Sequence, residues 1–296
     1  MRLVLPLLLV ACGPGSKVLE CSDIDVDALA PYADCSVVIE VESTADGPST
    51  TERVYDGNGQ LVRFFTRQDG EVTASAEYTY DEHLQPLTMD SQHGLHRDFV
   101  YNAIGLLVNR TTTVPDGPTD VYEAEASESR CEVPRWAHST DGEVFREQLN
   151  TYDDRSRLVR VRRSDSEPAR PEYSEYEFSY DGDDEGFSGT LARIWETSAP
   201  DGEPGLTWVG RTIRDTEGRI LDHFYYLGAE VVEDDPWIHD HYEYDADGNQ
   251  TLYVRQRTGV EDEREATTWR DGRRAYVVKS ELGEQTEERT YTWSCP

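Results

Sequence analysis

The chain has 296 residues, of which 60 are acidic and 28 basic, and its formal net charge is −32 at neutral pH. Phosphate backbones and anionic lipid headgroups repel so acidic a protein, which argues against nucleic acid as a partner. After the first residues, no apolar run approaches the roughly 20 residues that a membrane-spanning helix needs.

The first residues have the layout of an export signal. Arg2 supplies a positive charge and is followed by an apolar run, residues 3–11, that Pro6 alone interrupts. A charged start, a short hydrophobic stretch and a small residue before the cleavage site are typical of a secretory signal peptide. We therefore expect residues 1–11 to be removed on export.

The end of this run, Leu9-Val10-Ala11-Cys12, resembles the lipobox of bacterial lipoproteins. In that family the chain is cut just before the cysteine and the thiol carries lipid, so the resemblance implies that Cys12 bears acyl chains such as palmitate. Gly13 in the next position implies sorting to the outer membrane. An ordinary secretory signal that happens to contain a cysteine is the alternative. We expect a cell-envelope protein attached to the membrane by its lipid, with residues 12–20 as the lipidated cysteine and a flexible tether.

Four cysteines besides Cys12 are candidates for disulfide bonds. An even number of cysteines in an oxidising compartment favours disulfides over four buried free thiols. Four cysteines allow three pairings. We favour Cys21 with Cys35 as a local link, and Cys131 with Cys295 as a tie for the C-terminal strand.

Residues 23–30 show the one helix-like pattern of the chain, which Pro31 ends. We expect a single short helix there at most, within a short N-terminal cap segment, residues 21–35. The remainder, residues 36–296, forms the main domain of the prediction.

The main domain contains a repeating unit, which runs from an aromatic residue through Asp or Asn and a glycine-containing turn to an apolar residue. A tyrosine packs well on a half-buried sheet, the Asp can accept hydrogen bonds from turn amides, and glycine supplies the positive φ of a tight hairpin. The unit is complete at residues 55–61, and further copies begin at Tyr80, Tyr101, Tyr152, Tyr180, Asp215, Tyr244 and Trp269.

Between the turns, apolar and polar residues alternate. Val72, Ala74, Ala76, Tyr78 and Tyr80 fall on one face, and the residues between them are polar. This period of two is typical of strands with one buried face. The sequence therefore predicts an all-β fold, an antiparallel meander of consecutive hairpins. Because a single sheet of this size seldom stays open and flat, we expect a curled sheet or half-barrel, a half-pipe or a sheet closed on itself.

The Tyr-Asp-x-x-Gly-x-Leu units resemble the YD repeats of the RHS family, whose long members build spiral β-sheet shells around toxin cargo. Tyr80 departs from the pattern by lacking the glycine, and Tyr152 by having serine in its place. The sequence has no match to the self-cleaving core of those toxins. The resemblance therefore implies a β scaffold made of hairpins, without encapsulation.

The most suggestive short motif is His239-Asp240-His241. Residues two apart on a strand share a face, so His239, His241 and Glu243 could converge on one Zn²⁺. In the plainer interpretation, which we favour, they form the solvent face of a strand whose inward face carries Tyr242 and Tyr244. His93 and His96 beside Asp90 are a weaker candidate set.

Two acidic turns, residues 181–185 and 245–249, offer oxygen ligands of the kind that Ca²⁺ takes. Neither completes the EF-hand loop with its terminal bidentate Glu, and ordinary hairpin turns favour the same residues. The sequence also lacks a Gly-x-Ser-x-Gly elbow and a glycine-rich phosphate loop before a helix. We therefore expect no cofactor beyond the lipid and no catalytic residues.

The preferred prediction is a non-enzymatic, membrane-anchored lipoprotein whose sheet is a scaffold or a binding surface for a protein or saccharide ligand. Two alternatives stand beside it. One is a metal-dependent hydrolase that uses His239 and His241. The other is an adaptor or immunity protein for an RHS-like toxin.

Overall fold

The computed structural model describes Cys21 and residues 30–166, 173–181, 189–197, 205–227 and 236–296. The predicted signal peptide, Cys12 and the tether lie outside the described residues, as does nearly all of the short helix predicted at residues 23–30. Within the described part, no helix is long and apolar enough to cross a membrane.

The described chain forms twenty strands in one antiparallel sheet, preceded by a single turn of 3₁₀ helix, Ala30–Tyr32. The predicted all-β class and the antiparallel meander are therefore confirmed. The strands are β1 (Ser36–Ser43), β2 (Ser49–Tyr55), β3 (Leu61–Gln68), β4 (Glu71–Tyr80), β5 (Pro86–Ser91), β6 (His96–Tyr101), β7 (Leu107–Thr113), β8 (Thr119–Glu125), β9 (Arg135–Thr140), β10 (Glu143–Tyr152), β11 (Leu158–Asp165), β12 (Tyr173–Asp181), β13 (Gly189–Thr197), β14 (Gly205–Arg214), β15 (Ile220–Leu227), β16 (Ile238–Tyr244), β17 (Gln250–Arg257), β18 (Val260–Arg270), β19 (Arg273–Glu281) and β20 (Glu284–Ser294).

The first and last strands are neighbours in the sheet. β1 pairs with both β2 and β20, so that Val37 lies opposite Arg53 on one side and opposite Trp293 on the other. All other pairs join strands that follow each other in the chain, and every described strand thus has two hydrogen-bonded neighbours. The predicted curling is confirmed, and it goes beyond a half-barrel because the ring of strands closes. Twist of one hand, repeated from strand to strand, provides the rotation that closure needs.

Among the described residues, six turns at one rim of the sheet share a single hydrogen-bonding pattern. At the first of them, Oδ1 of Asp56 accepts hydrogen bonds of 2.9 Å from the amides of Asn58 and Gln60. We call these the aspartate turns, and the predicted role of the acidic residue is confirmed in them. They begin at Asp56, Asp81, Asn102, Asp153, Asp215 and Asp245.

The fourth residue of each aspartate turn has a positive φ. Glycine occupies this position in the complete repeat, where Gly59 has a φ of 80°. The two copies that lack glycine keep the same conformation, with a φ of 66° at Leu84 and 60° at Ser156. Leu84 and Ser156 therefore adopt the turn geometry although a positive φ is unfavourable for residues other than glycine.

In several repeats the aromatic residue before the turn connects neighbouring repeats. The hydroxyl of Tyr180 donates a hydrogen bond of 2.6 Å to the carbonyl oxygen of Leu158, at the start of the preceding return strand. Tyr244 donates in the same way to the carbonyl of Ile220 at 2.9 Å. In the last repeats the donor is the indole nitrogen of a tryptophan, Trp269 to Gln250 and Trp293 to Arg274.

The two faces of the sheet differ in burial. Most of the nearly inaccessible residues, among them Val37, Ala76, Val161 and Val277, lie on one face, which we call the inner face. The opposite face, which we call the outer face, buries fewer residues, among them Val209 and Tyr226. The inner face also buries polar residues, including Thr112, Gln148, Asp165 and Asp240. The interior is therefore lined by mixed chemistry, and the continuous hydrogen bonding of the ring contributes much of what holds the sheet together.

Two disulfide bonds join the four candidate cysteines, Cys21 with Cys131 and Cys35 with Cys295. The pairing predicted from the sequence, Cys21 with Cys35 and Cys131 with Cys295, was wrong. The physical reason is the closure of the sheet. Cys35 lies just before β1 and Cys295 just after β20, and because these strands pair, the two Cα atoms are 4.3 Å apart.

Candidate functional site

Strands β15 and β16 bring Asp222, His239 and His241 together on the outer face. Asp222 lies opposite His241 in the antiparallel register, and Phe224 lies opposite His239. Residues two apart on a strand project to the same face, so all four side chains share one surface. We call Asp222, His239 and His241 the histidine site.

The two imidazoles of the histidine site point at one oxygen atom. Nε2 of His239 and Nδ1 of His241 each lie 2.8 Å from Oδ1 of Asp222. The ring of Phe224 stacks on His239 with a centroid distance of 4.4 Å and an interplanar angle of 13°. Asp222 and His239 are half-buried, with side chains 23% and 25% exposed. The geometry therefore holds two imidazoles and a carboxylate around one point.

The carboxylate of the site stays charged. Burial by itself raises the pKa of Asp222, but the hydrogen bonds from His239 and His241 outweigh it and lower the pKa below its ordinary value. The site therefore offers an anionic oxygen between two imidazole rings.

Glu243, the third ligand considered from the sequence, takes a different position. Its Oε1 lies 3.7 Å from Nε2 of His241, the ring nitrogen that points away from Asp222. The structure thus brings His239 and His241 together with Asp222, and places Glu243 behind His241. Sequence reasoning missed Asp222 because it lies on another strand, and only the β15–β16 register reveals it.

Asp240, between the two histidines, faces the other way. It is 2% exposed on the inner face, where its carboxylate accepts hydrogen bonds from Nε and Nη2 of Arg255 at 2.7 and 2.9 Å. The hydroxyl of Tyr253 lies 3.3 Å from Oδ1 of Asp240. The paired carboxylate raises the pKa of Arg255. Asp240 therefore ties β16 to β17 on the inner face, while His239 and His241 project from the outer face.

A second cluster, on the inner face, combines arginines with aromatic rings. Arg110, Tyr122, His138 and Arg146 lie opposite one another in turn across β7 to β10. The ring of Trp136 lies 5.1 Å from that of His138 and 5.8 Å from that of Tyr122. Together with Arg97 on β6, these residues form what we call the arginine patch.

The cations of the arginine patch are unequally paired. Arg146 and Arg163 both contact the buried carboxylate of Asp165, at 2.8 and 3.2 Å. Arg97 and Arg110 have no carboxylate oxygen within 4.0 Å among the described residues, and the Nε atoms of both are buried without a hydrogen-bond partner. The patch therefore contains two half-buried arginines whose hydrogen-bonding capacity the described residues leave partly unused.

The arginines set the electrostatics of the patch. Burial first, and then the positive charges of Arg110 and Arg146, lower the pKa of His138 to about 4. Burial and the neighbouring Arg97 lower the pKa of Arg110 as well. The negative charge of Asp120 opposes both shifts but does not outweigh them. Sequence reasoning missed the patch because its members are spread over five strands.

A cleft of about 320 Å³ adjoins the arginine patch at the rim of the aspartate turns. It opens where the pairing of β5 with β6 ends, at Thr88 opposite Asp98. Leu87, Phe99 and Tyr101 are among its lining residues. Phe99 lies opposite Arg110 in the register, so one residue of the cleft lining is a neighbour of the patch.

The other residues singled out from the sequence serve local roles. His96 lies between two exposed carboxylates, 2.7 Å from Asp90 and 3.1 Å from Asp98. In the acidic turn at residues 245–249, Oδ1 of Asp245 accepts hydrogen bonds from the amides of Asp247 and Asn249. That carboxylate is therefore used by the turn itself. Most of the other acidic turn, residues 182–185, lies outside the described residues.

No family model and no curated protein matches the sequence. Among solved structures, the chain is similar to a porin-like protein from Bacteroides uniformis, with 11% identity and a TM-score of 0.39 over 88% of this chain and 98% of that one. It is also similar to TcdB2–TccC3 without its hypervariable C-terminal region, with 10% identity and a TM-score of 0.21 over 84% of this chain and 18% of that one. Both likenesses are too distant to carry an argument about function.

Proposed function

We propose that this protein is a non-enzymatic, lipid-anchored binding protein of the cell envelope, and that its arginine patch binds a small anionic ligand. The observation that carries the proposal is the pair Arg97 and Arg110, which are half-buried on the inner face, with buried Nε atoms that lack a hydrogen-bond partner and with no carboxylate within ion-pair distance among the described residues. No specific observation favours the hydrolase or the toxin adaptor, and neither is proposed.

Buried donors without a hydrogen-bond partner are costly to a fold. Each such N–H costs about 1–3 kcal/mol, and folds normally compensate it with an acceptor. Here acidic residues outnumber basic ones by 60 to 28, so carboxylates to pair with Arg97 and Arg110 are abundant. An anionic ligand would supply the missing hydrogen-bond acceptors, and guanidinium groups bind carboxylate and phosphate in a bidentate manner.

The surroundings of the two arginines favour a ligand that also has a ring. Tyr122 and Trp136 present aromatic faces beside Arg110. The adjoining cleft of about 320 Å³ has the size of a small-molecule site. An acidic sugar combines an oxyanion with a ring that packs on aromatic faces, and it agrees with the saccharide ligand expected from the sequence.

Calorimetric titration with galacturonate, and with galactose as its neutral counterpart, tests the proposed ligand class. We expect galacturonate to bind more tightly than galactose, because the carboxylate pairs with the arginines. Arg97→Gln and Arg110→Gln each weaken this binding at least tenfold. Arg264→Gln, at an exposed arginine outside the patch, is the matched control and binds as the original protein does. Equal heats for the acid and the neutral sugar contradict the proposal.

The anchor is tested separately by labelling producing cells with radioactive palmitate. We expect the label to enter the protein and to be lost in Cys12→Ala, because the thiol of Cys12 is the proposed acylation site. Cys21→Ala, at a cysteine that forms a disulfide, is the matched control and keeps the label. Label that persists in Cys12→Ala contradicts the anchor and leaves the ligand proposal unaffected.

A further inference from the structure

We propose that the histidine site binds one divalent transition-metal ion of the zinc class, through Oδ1 of Asp222, Nε2 of His239 and Nδ1 of His241. The site lies on the outer face, away from the arginine patch, and its function does not depend on the ligand proposed above.

The three ligand atoms already converge. They all lie within 4.8 Å of one another, and both imidazole nitrogens lie 2.8 Å from the carboxylate oxygen. Zinc binds nitrogen and oxygen at about 2.0–2.2 Å, so ligand atoms around one ion are separated by roughly 3–3.5 Å. An outward shift of a few tenths of an ångström in the N–O separations therefore converts the hydrogen-bonded cluster into three ligands of a tetrahedral shell. Three protein ligands leave a fourth, tetrahedral position for water.

The residues behind the ligands fit this role. Glu243 lies 3.7 Å from the outward nitrogen of His241, where it can accept that N–H while Nδ1 binds the metal. A carboxylate behind a metal-bound histidine is a common arrangement that orients the ring. Phe224 stacks on His239 and restricts the rotation of its ring. Both imidazoles are thus held before a metal arrives.

The ligand types indicate which metal the site prefers. Two imidazoles with one carboxylate suit zinc and its transition-metal neighbours, whereas calcium and magnesium prefer all-oxygen sites. His96 provides an internal comparison, since it lies between the carboxylates of Asp90 and Asp98 without a second imidazole. We expect metal to select the histidine site over this one.

Titration of the full chain with Zn²⁺ by calorimetry, and with Co²⁺ by visible absorption, tests the proposal. We expect one equivalent of Zn²⁺ to bind at neutral pH, and Co²⁺ to give the absorption bands of a nitrogen- and oxygen-ligated ion. Asp222→Asn and His239→Gln each weaken binding at least tenfold. His96→Gln is the matched control, because it removes a histidine that also contacts carboxylates, and it binds Zn²⁺ as before.

The variants also allow a loss of metal binding to be distinguished from a failure to fold. Asn can retain a hydrogen bond with the imidazoles, so Asp222→Asn removes mainly the charge, and unchanged circular dichroism without metal shows that it folds. If it does not fold, His241→Gln takes its place. A site with equal Zn²⁺ affinity in the original protein, His239→Gln and His241→Gln overturns the proposal, as does a protein that takes up no Zn²⁺. Galacturonate binding should be unchanged in these variants.

Discussion

The hydroxyl of Tyr80 donates a hydrogen bond of 2.7 Å to the carbonyl oxygen of Leu61. Tyr80 ends β4 just before one aspartate turn, and Leu61 begins β3 just after the preceding one. The bond therefore joins two neighbouring turns at the rim. Tyr180 and Tyr244 make the same connection in later repeats, so the bond recurs along the sheet.

Removal of this hydroxyl should destabilise the protein measurably. Tyr80→Phe leaves the half-buried ring in place but deprives the carbonyl of Leu61 of its donor. We expect the free energy of unfolding to fall by about 1 kcal/mol, as is typical for a lost hydrogen bond. Urea denaturation followed by circular dichroism measures this difference. Tyr55→Phe is the matched control, because Tyr55 has the same position in its repeat and its hydroxyl makes no hydrogen bond within the described residues. Equal losses in both variants would contradict the assigned role.

The buried phenols should make the protein sensitive to alkali. Burial raises the pKa of Tyr80, Tyr101, Tyr122 and Tyr242 to about 12 from an ordinary value of 10.0. The folded protein thus holds these protons more tightly than the unfolded chain, and unfolding becomes easier wherever only the unfolded chain has lost them. We expect stability to be unaffected by these groups below pH 10 and to decline between pH 10 and 12.

Urea denaturation at a series of pH values checks this decline. Tyr122→Phe removes one titrating phenol and should make the fall between pH 10 and 12 shallower. A stability that stays constant up to pH 12 would show that these hydroxyls are no harder to ionise in the fold than in the unfolded chain.

We expect glycine at the fourth position of an aspartate turn to stabilise the fold by about 1 kcal/mol relative to alanine. Gly218 has a φ of 82°, and a Cβ placed there would meet no atom within 4 Å. The cost of Gly218→Ala therefore comes from the backbone alone and should be about 1 kcal/mol. Thermal unfolding measures it.

The opposite substitution tests the same idea in another turn. Leu84 has a φ of 66° where other repeats have glycine, so Leu84→Gly removes backbone strain. We expect the variant to be at least as stable as the original protein despite the smaller side chain. A loss as large as that of Gly218→Ala would mean that packing of Leu84 matters more than its backbone conformation.

The disulfide between Cys35 and Cys295 should stabilise the closure of the ring. It spans 260 residues of sequence, and in the chain-entropy model such a loop is worth on the order of 5 kcal/mol. We expect the double variant Cys35→Ser, Cys295→Ser to lose about 2–5 kcal/mol in urea denaturation. Amide hydrogen exchange should quicken first in β1 and β20, because these strands meet at the closing seam.

The second disulfide provides the control for this prediction. The double variant Cys21→Ser, Cys131→Ser also removes a disulfide that closes a long loop, with a sequence separation of 110 residues. It leaves the link between the ends of β1 and β20 intact. The free energy of unfolding of this variant should fall, but amide hydrogen exchange in β1 and β20 should not quicken more than in the other strands. Equal acceleration in both double variants would contradict a specific role of Cys35–Cys295 at the seam.

Local features of this protein were accessible from the sequence. The acceptor role of Asp56 and the positive φ of Gly59 follow from short-range geometry, and the structure confirms both. The alternation in β4 likewise predicted a strand with Ala76 on its buried face. Hydrogen bonds within a turn and the period of a strand depend on a few consecutive residues, so their pattern identifies them.

The sequence by itself therefore determined the all-β class, the hairpin repeat and the chemistry of its turns. The tertiary structure decided which distant residues are in contact. It joins Cys35 to Cys295 and places Asp222 beside His239. It also leaves Arg97 and Arg110 without an ion-pair partner among the described residues. These contacts depend on strand register and on the closure of the ring, which join residues far apart in the chain. No local pattern encodes them, because the free energy that selects them belongs to the whole sheet.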